Sequence, residues 1–170
     1  GKCRLGVAKA LHYATAIKML AVTDEVALGA PATGAIPVGM LGSMPSDQAF
    51  TRDLDKAKDY LAACKYKPED FTLELSWIAE VPLEERFALL MQSNFADIGI
   101  KSEIVKVPWA LYTDMVTKVE TTPNVSQVIV TTVTGDPDTL IYGMYHPIEA
   151  ATSPAPEPPN NPEADAPPQK

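Results

Sequence analysis

The chain has 170 residues, with 14 Lys and Arg against 22 Asp and Glu for a formal charge of -8. That length holds one domain with a real core and falls short of two sizeable lobes. The charge argues against a nucleic-acid partner, which would need clustered basic side chains to track phosphates.

Cys3 and Cys64 lie far apart and form no CxxC spacing, so neither a zinc site nor a redox pair is signalled, and both are expected as small buried hydrophobes. No segment reaches the roughly 18 apolar residues of a membrane span. The N-terminus shows no basic segment leading into an apolar stretch, so the chain reads as mature, trimmed or a fragment.

From Arg4 to Ala21, Val7, Ala10, Leu11, Ala14, Ile17 and Ala21 recur at three- and four-residue steps, which predicts one core-facing helix. Prolines and glycines between Gly29 and Ser46 predict an extended surface loop. Asp53 is placed to cap a second helix that turns Ala57, Tyr60, Leu61 and Cys64 inward. Phe71, Leu73, Leu75 and Trp77 alternate with polar residues as a half-buried strand does.

A helix then enters near Pro82, with Glu84 and Glu85 at its positive end and Phe87, Leu90, Met91, Asn94 and Ile98 as its buried stripe. Gly99 supplies the stop and Ile100 to Val107 the next strand, a parallel β-α-β unit with right-handed crossover. Pro108 opens a helix carrying Trp109, Tyr112, Met115, Val116 and Val119 on one side, and Val125 to Val133 reads as a buried strand. The turn Asp136-Pro137-Asp138 precedes a short apolar segment from Leu140 to Tyr145. Beyond Ser153 the proline-rich chain predicts an extended tail.

Four blocks carry a resemblance, in the same order as in the relatives. Ala10-Leu11-His12-Tyr13-Ala14 is similar to a helix of the form AL-x-YA. Gly34 to Pro37 followed by Asp53 to Tyr66 is similar to a D-x-DKAK-x-LL segment, with Lys65 where a glycine is usual. The most specific block runs from Met91-Gln92 through Asp97-Ile98-Gly99-Ile100 and Val107-Pro108-Trp109 to Tyr112, and the last is Gly135-Asp136-Pro137-Asp138 with Leu140 and Tyr142. Together they resemble family 5 of the bacterial extracellular solute-binding proteins, the peptide, nickel and oligosaccharide receptors of ABC importers. In the tail, Asn161 to Asp165 is similar to the family's NPEVD, but Pro167-Pro168 bars the helix that normally follows.

The resemblance implies an α/β fold: a periplasmic-binding-protein-like (type II) lobe, its mixed, mostly parallel sheet flanked by helices. It would occupy residues 1–152 as a partial second lobe, with 153–170 as the tail. It further implies a periplasmic or extracellular receptor, membrane-associated through its transporter. The partners would be a peptide or small-molecule ligand, a first lobe absent from this chain, and the ABC permease. No cofactor is implied.

Ligand contacts are expected at the C-terminal ends of the strands, as in open α/β sheets generally. The candidates are Trp109, Tyr112, Thr131, Thr132, Val133, Thr134, Asp136 and Asp138. Trp109 matches a pocket aromatic, and a core tryptophan is the competing reading. Peptide-binding members place an acidic residue where Val133 stands, so its absence leaves hydroxyls for neutral or polar ligands.

Asp136 and Asp138 have turn capping as their simpler role. His12 and His146 are too isolated for a metal site, and Asn124-Val125-Ser126 matches a glycosylation spacing by accident. No phosphate loop, nucleophile elbow or Cys-His pairing accompanies them, which ranks an enzyme last. The runner-up is a stand-alone interaction or scaffold domain, marked by an apolar face opposite the strand ends.

Overall fold

The computed structural model describes residues 1–21, 23, 29–45, 47, 49–130 and 135–145, with backbone alone for 143–145. The expected histidine at 146 and the proline-rich tail at 153–170 lie outside these residues.

The expected first helix is two. α1 spans Lys2–Ala10 and α2 spans Tyr13–Met19. Leu11 turns extended, with φ -69° and ψ 134°. His12 then donates its backbone N–H to Asn94 Oδ1 at 2.8 Å, while its ring Nδ1 accepts from the Thr15 N–H and caps α2. A buried partner eighty residues away thus overrides a periodicity that runs unbroken through the sequence. His12 is a cap, and Ala14 and Ala21 are exposed.

α3, Leu54–Ala62, begins as expected at Asp53, whose side chain accepts from the Lys56 N–H at 3.0 Å. It packs against α1 closely enough that a Cβ on Gly6 would meet Leu61 Cγ at 2.9 Å and the Ala57 carbonyl at 3.1 Å. Cys3 and Cys64 close this contact as a disulfide with Cα atoms 5.0 Å apart, which corrects the expectation of two unlinked hydrophobes. Local spacing could not show it, because the pairing follows from α1 lying antiparallel along α3. Arg52 reinforces the corner: its Nε donates to Ala10 O at 2.9 Å and its Nη2 pairs with Asp97.

β1 (Thr72–Ile78), α4 (Pro82–Ala96) and β2 (Lys101–Val107) form the expected parallel unit, with Thr72 opposite Lys101 and Ile78 opposite Val107. Gly99 has φ +78°, a conformation open to glycine, and lets the Ile100 N–H return to Phe95 O at 3.0 Å. The α4 core contacts include Ala88 and Phe95 besides the expected Asn94 and Ile98. Phe95 and Ile98 meet Leu75, Ile100, Ala57 and Ala10 in one apolar cluster.

Two later expectations change. α5, Trp109–Met115, follows Pro108 as expected but buries none of its residues and ends before Val119, which is 83% exposed. The strand expected over 125–133 is a two-residue β3, Val125–Ser126, parallel to β1 on the side away from β2. It joins β1 at Leu75 and Ser76, leaving only Trp77 and Ile78 beyond to pair with. Ile129 and Val130 therefore run past the sheet into solvent, and 131–133 lie outside the described residues.

Asn124 and Ser126 have structural duties. The Asn124 Oδ1 accepts from the Glu74 N–H at 3.0 Å, and the Ser76 hydroxyl donates to Ser126 Oγ at 3.1 Å. The segment after the Asp-Pro-Asp turn is helical: α6, Pro137–Tyr145, with Leu140 buried.

Candidate functional site

β1 and β2 end side by side at Ile78 and Val107, β3 ends two residues earlier at Ser126 opposite Ser76, and the chain leaving each one builds a wall of a groove. The Ala79 N–H donates to Val107 O at 2.9 Å and the Gln127 N–H to Ser76 O at 3.0 Å, which fixes the exits from β1 and β3. Ile78, Glu80, Val81, Glu84, Trp109 and Ile129 line the resulting cavity of about 380 Å³.

Trp109 stands on the rim because Pro108, extended at φ -61° and ψ 145°, turns the chain sharply from β2 into α5. The residue is 49% exposed and its backbone N–H donates to Glu80 Oε2 at 3.0 Å. The Tyr112 ring, one helical turn on, stacks on it with centroids 5.8 Å apart and planes 28° apart. Trp77, by contrast, is 4% exposed and serves the core. The two tryptophans thus divide the structural and the surface roles between them.

Glu84 stands in the first turn of α4, where the helix dipole favours it as expected, and it has a second role that the sequence did not show. It is 4% exposed, and its Oε2 accepts from the Ile78 N–H at 2.7 Å. The carboxyl group therefore ties the last residue of β1 to the first turn of α4. Its other oxygen, Oε1, is buried without a hydrogen-bond partner. Glu80 was not singled out by the sequence at all, although an acidic residue between a strand and a proline-started helix was a signal available to it.

Of the other expected contacts, Asp136 uses its Oδ1 to accept from the Asp138 N–H at 2.9 Å, the turn-capping role, and neither aspartate lines the groove. Thr131, Thr132, Val133 and Thr134 lie outside the described residues. Among the described residues, no group of three or more His, Cys, Asp or Glu is arranged to hold a metal. Backbone and side-chain hydrogen bonds from Lys56 lower the Asp53 pKa, and burial raises that of Tyr13.

A larger cavity of about 560 Å³ opens at the opposite, N-terminal ends of the strands. Val7, Leu11, Leu73, Phe95 and Val125 line it and the Cys3–Cys64 bridge borders it. Most of these residues belong to the core cluster or pack against it, so this cavity is an open side of the core.

The fold is shared with solved receptor structures. A peptide binding protein described as putative, AppA of Clostridium difficile, matches with TM-score 0.61 and 20% identity over 74% of this chain and 25% of its own. The ABC transporter-associated periplasmic binding protein DppA of Helicobacter pylori, in complex with the peptide STSA, matches with TM-score 0.60 and 22% identity over 82% and 25%. AgaA of A. tumefaciens R10, in complex with agropinic acid, matches with TM-score 0.54 and 28% identity over 68% and 23%.

This chain thus spans about a quarter of the length of each. No curated protein sequence matches it. The α/β expectation of a parallel sheet with flanking helices is borne out, with all described strand pairs parallel. The description of the bacterial extracellular solute-binding proteins, family 5 Middle, matches residues 6–152, and the chain belongs to that family.

Proposed function

We propose that the chain forms one wall of the ligand cleft in a substrate-binding receptor of an ABC importer. A small solute or peptide would be enclosed when a second lobe closes on the strand ends by hinge motion, then handed to the permease. The observation that carries this reading is the open groove at the C-terminal ends of the parallel strands with a half-exposed tryptophan on its rim. Trp109 and Tyr112 act as the aromatic wall, and Thr131, Thr132, Val133 and Thr134 are the further ligand contacts this reading proposes. Residues 1–152 make up the partial lobe and 153–170 its tail.

Solved relatives crystallised with a tetrapeptide or with agropinic acid support a small polar ligand. The Cys3–Cys64 disulfide supports residence outside the reducing cytosol, with membrane association arising through the transporter. No catalytic chemistry is assigned to the groove.

In a receptor carrying both lobes, Trp109→Ala is expected to weaken ligand binding by about 1 kcal/mol, roughly fivefold in Kd, with little change in melting temperature, since the residue is half exposed. Calorimetry with the ligand carried through purification measures it. Unchanged affinity together with lowered stability would return Trp109 to a structural role and remove the groove as the site.

The second reading, a protein-docking domain, takes its support from the larger apolar cavity opposite the strand ends. The receptor reading assigns that face to the remaining three-quarters of a receptor's chain.

A further inference from the structure

We infer that Glu80 is the positioning residue of the aromatic wall: its carboxylate holds the first amide of α5 and so fixes where Trp109 and Tyr112 stand against the groove. What the wall does rests on the receptor reading; how the wall is held rests on hydrogen bonding.

Packing gives α5 little support. It has seven residues, none of them buried, and it follows β2 directly. A helix that short is marginal in water by itself, because its first turn is costly to form and few further bonds offset that cost. Its first amides also lack intrahelical acceptors, and the usual remedy is a side-chain oxygen at the N-cap. Here the N-cap is Pro108, whose side chain has no oxygen and makes no capping bond.

Glu80 supplies the acceptor from another segment. Its Oε2 accepts from the Trp109 N–H at 3.0 Å, which sets a negative group at the positive end of the helix. The turn that carries Glu80 is itself held on both sides: the Ala79 N–H donates to Val107 O at 2.9 Å and the Val81 N–H to Ile78 O at 2.8 Å. Glu84 adds a third tie, from α4 to the Ile78 N–H. A firm turn therefore grips a helix that has no buried residue.

The grip reaches the groove because Trp109 and Tyr112 are one helical turn apart and stacked, so they move together with α5. Glu80 and Trp109 both line the groove. At the other end of α5, Met115 O accepts from Thr121 Oγ1 at 2.7 Å, a tie to the loop that follows and not to the sheet. Loss of the carboxylate leaves α5 free to swing about Pro108, and the indole no longer holds one position.

The test uses the whole chain, isotope-labelled for NMR. Heteronuclear NOEs at the Trp109 indole N–H and the α5 amides report order, and titration with caffeine, a flat uncharged ring system, reports stacking on the wall. A neutral probe keeps any direct action of the carboxylate on a ligand's charge out of the result. In Glu80→Ala the NOEs of the indole and of α5 should fall. Caffeine should bind about threefold more weakly if the wall then holds its place a third of the time. The melting temperature should stay within about 2 °C, since Glu80 is exposed. Glu80→Gln keeps an oxygen acceptor and should recover most of the order and the affinity. Glu85→Ala, which removes an exposed carboxylate from the first turn of α4, should change neither.

Wild-type NOEs and caffeine affinity in Glu80→Ala overturn the inference and leave the groove standing as a binding surface. Weakened affinity with unchanged NOEs overturns it as well, because Glu80 then acts by some route other than holding α5. A melting temperature lowered by more than about 5 °C in both Glu80 variants makes the residue a structural one and has the same effect. Caffeine that moves neither Trp109 nor Tyr112 in the wild type removes the groove, and the receptor reading and the inference fall together.

Discussion

Removing the disulfide with the double substitution Cys3→Ala and Cys64→Ala tests the link between α1 and α3 directly. The bridge closes a loop of sequence separation 61. In the chain-entropy treatment a cross-link over such a loop restricts the unfolded ensemble by about 4 kcal/mol at 25 °C. A domain of this size is stable by about 5–15 kcal/mol in all, so the loss is a large fraction of the total.

Native contacts should change little, because alanine keeps a small apolar group at both positions and Ala10, Ala57 and Leu61 still hold the helices together. Urea unfolding followed by circular dichroism, with an m-value of about 2 kcal/mol/M, should show the midpoint falling by about 2 M. Wild type in excess dithiothreitol should fall to nearly the same midpoint. A double variant within about 1 kcal/mol of the oxidised wild type would refute the reasoning, as would two titratable thiols in the protein purified without reductant.

Gly6→Ala reverses the usual sign of a helix glycine replacement. At an open helical position alanine gains about 1 kcal/mol, but here the new methyl would sit 2.9 Å from Leu61 Cγ and 3.1 Å from the Ala57 carbonyl. Overpacking of about 1–3 kcal/mol outweighs the gain, and scanning calorimetry should show the melting temperature lowered by roughly 3 °C, whereas a rise would show that α1 and α3 are not in close contact. Asp53→Asn isolates the acid limb of stability. The backbone hydrogen bond from Lys56 holds the Asp53 carboxyl below its ordinary 3.8, so its contribution is complete above that value and is lost as pH falls through the depressed folded-state value. Asparagine still caps α3 but does not titrate in that range, so urea midpoints measured between pH 5 and pH 2 should fall less steeply in the variant, and parallel curves would count against the assignment.

The parts of the fold that the sequence revealed are those decided by neighbours in the chain. Period-two alternation gives β1, proline at the first helical position of α4 and at the N-cap of α5 gives their starts, and the φ +78° that Gly99 supplies ends α4. Asp53 caps α3 with its own downstream amide. The misses are decided at a distance. The break between α1 and α2 depends on Asn94, the disulfide on the packing of α1 against α3, and the shortness of β3 on where along β1 it docks. None of these leaves a local trace.

The candidate site divides along the same line. Trp109 was visible through the resemblance, which matches it to a pocket aromatic, and the Pro108 beside it marks the turn out of β2 that sets it at the sheet's end. Glu84 was not, because a glutamate in the first turn of a helix is adequately explained by the dipole until the end of β1 is seen to lie beside it.

Cavity size alone would choose a different face of this molecule from the one proposed as the site. The cavity at the strands' N-terminal ends is the larger, about 560 Å³ against 380 Å³, yet its walls are largely side chains that also build the core. A face of that composition gains by exclusion of water and discriminates weakly between apolar occupants. The smaller groove combines an indole, backed by the Tyr112 ring stacked on it, with two carboxyl groups. Polar groups that are left unsatisfied when the wrong molecule binds are what turn a cavity into a selective one, because each missing donor costs more than a missing methyl group. On the proposed receptor reading, the asymmetry between the two ends of the sheet therefore favours the smaller groove for recognition.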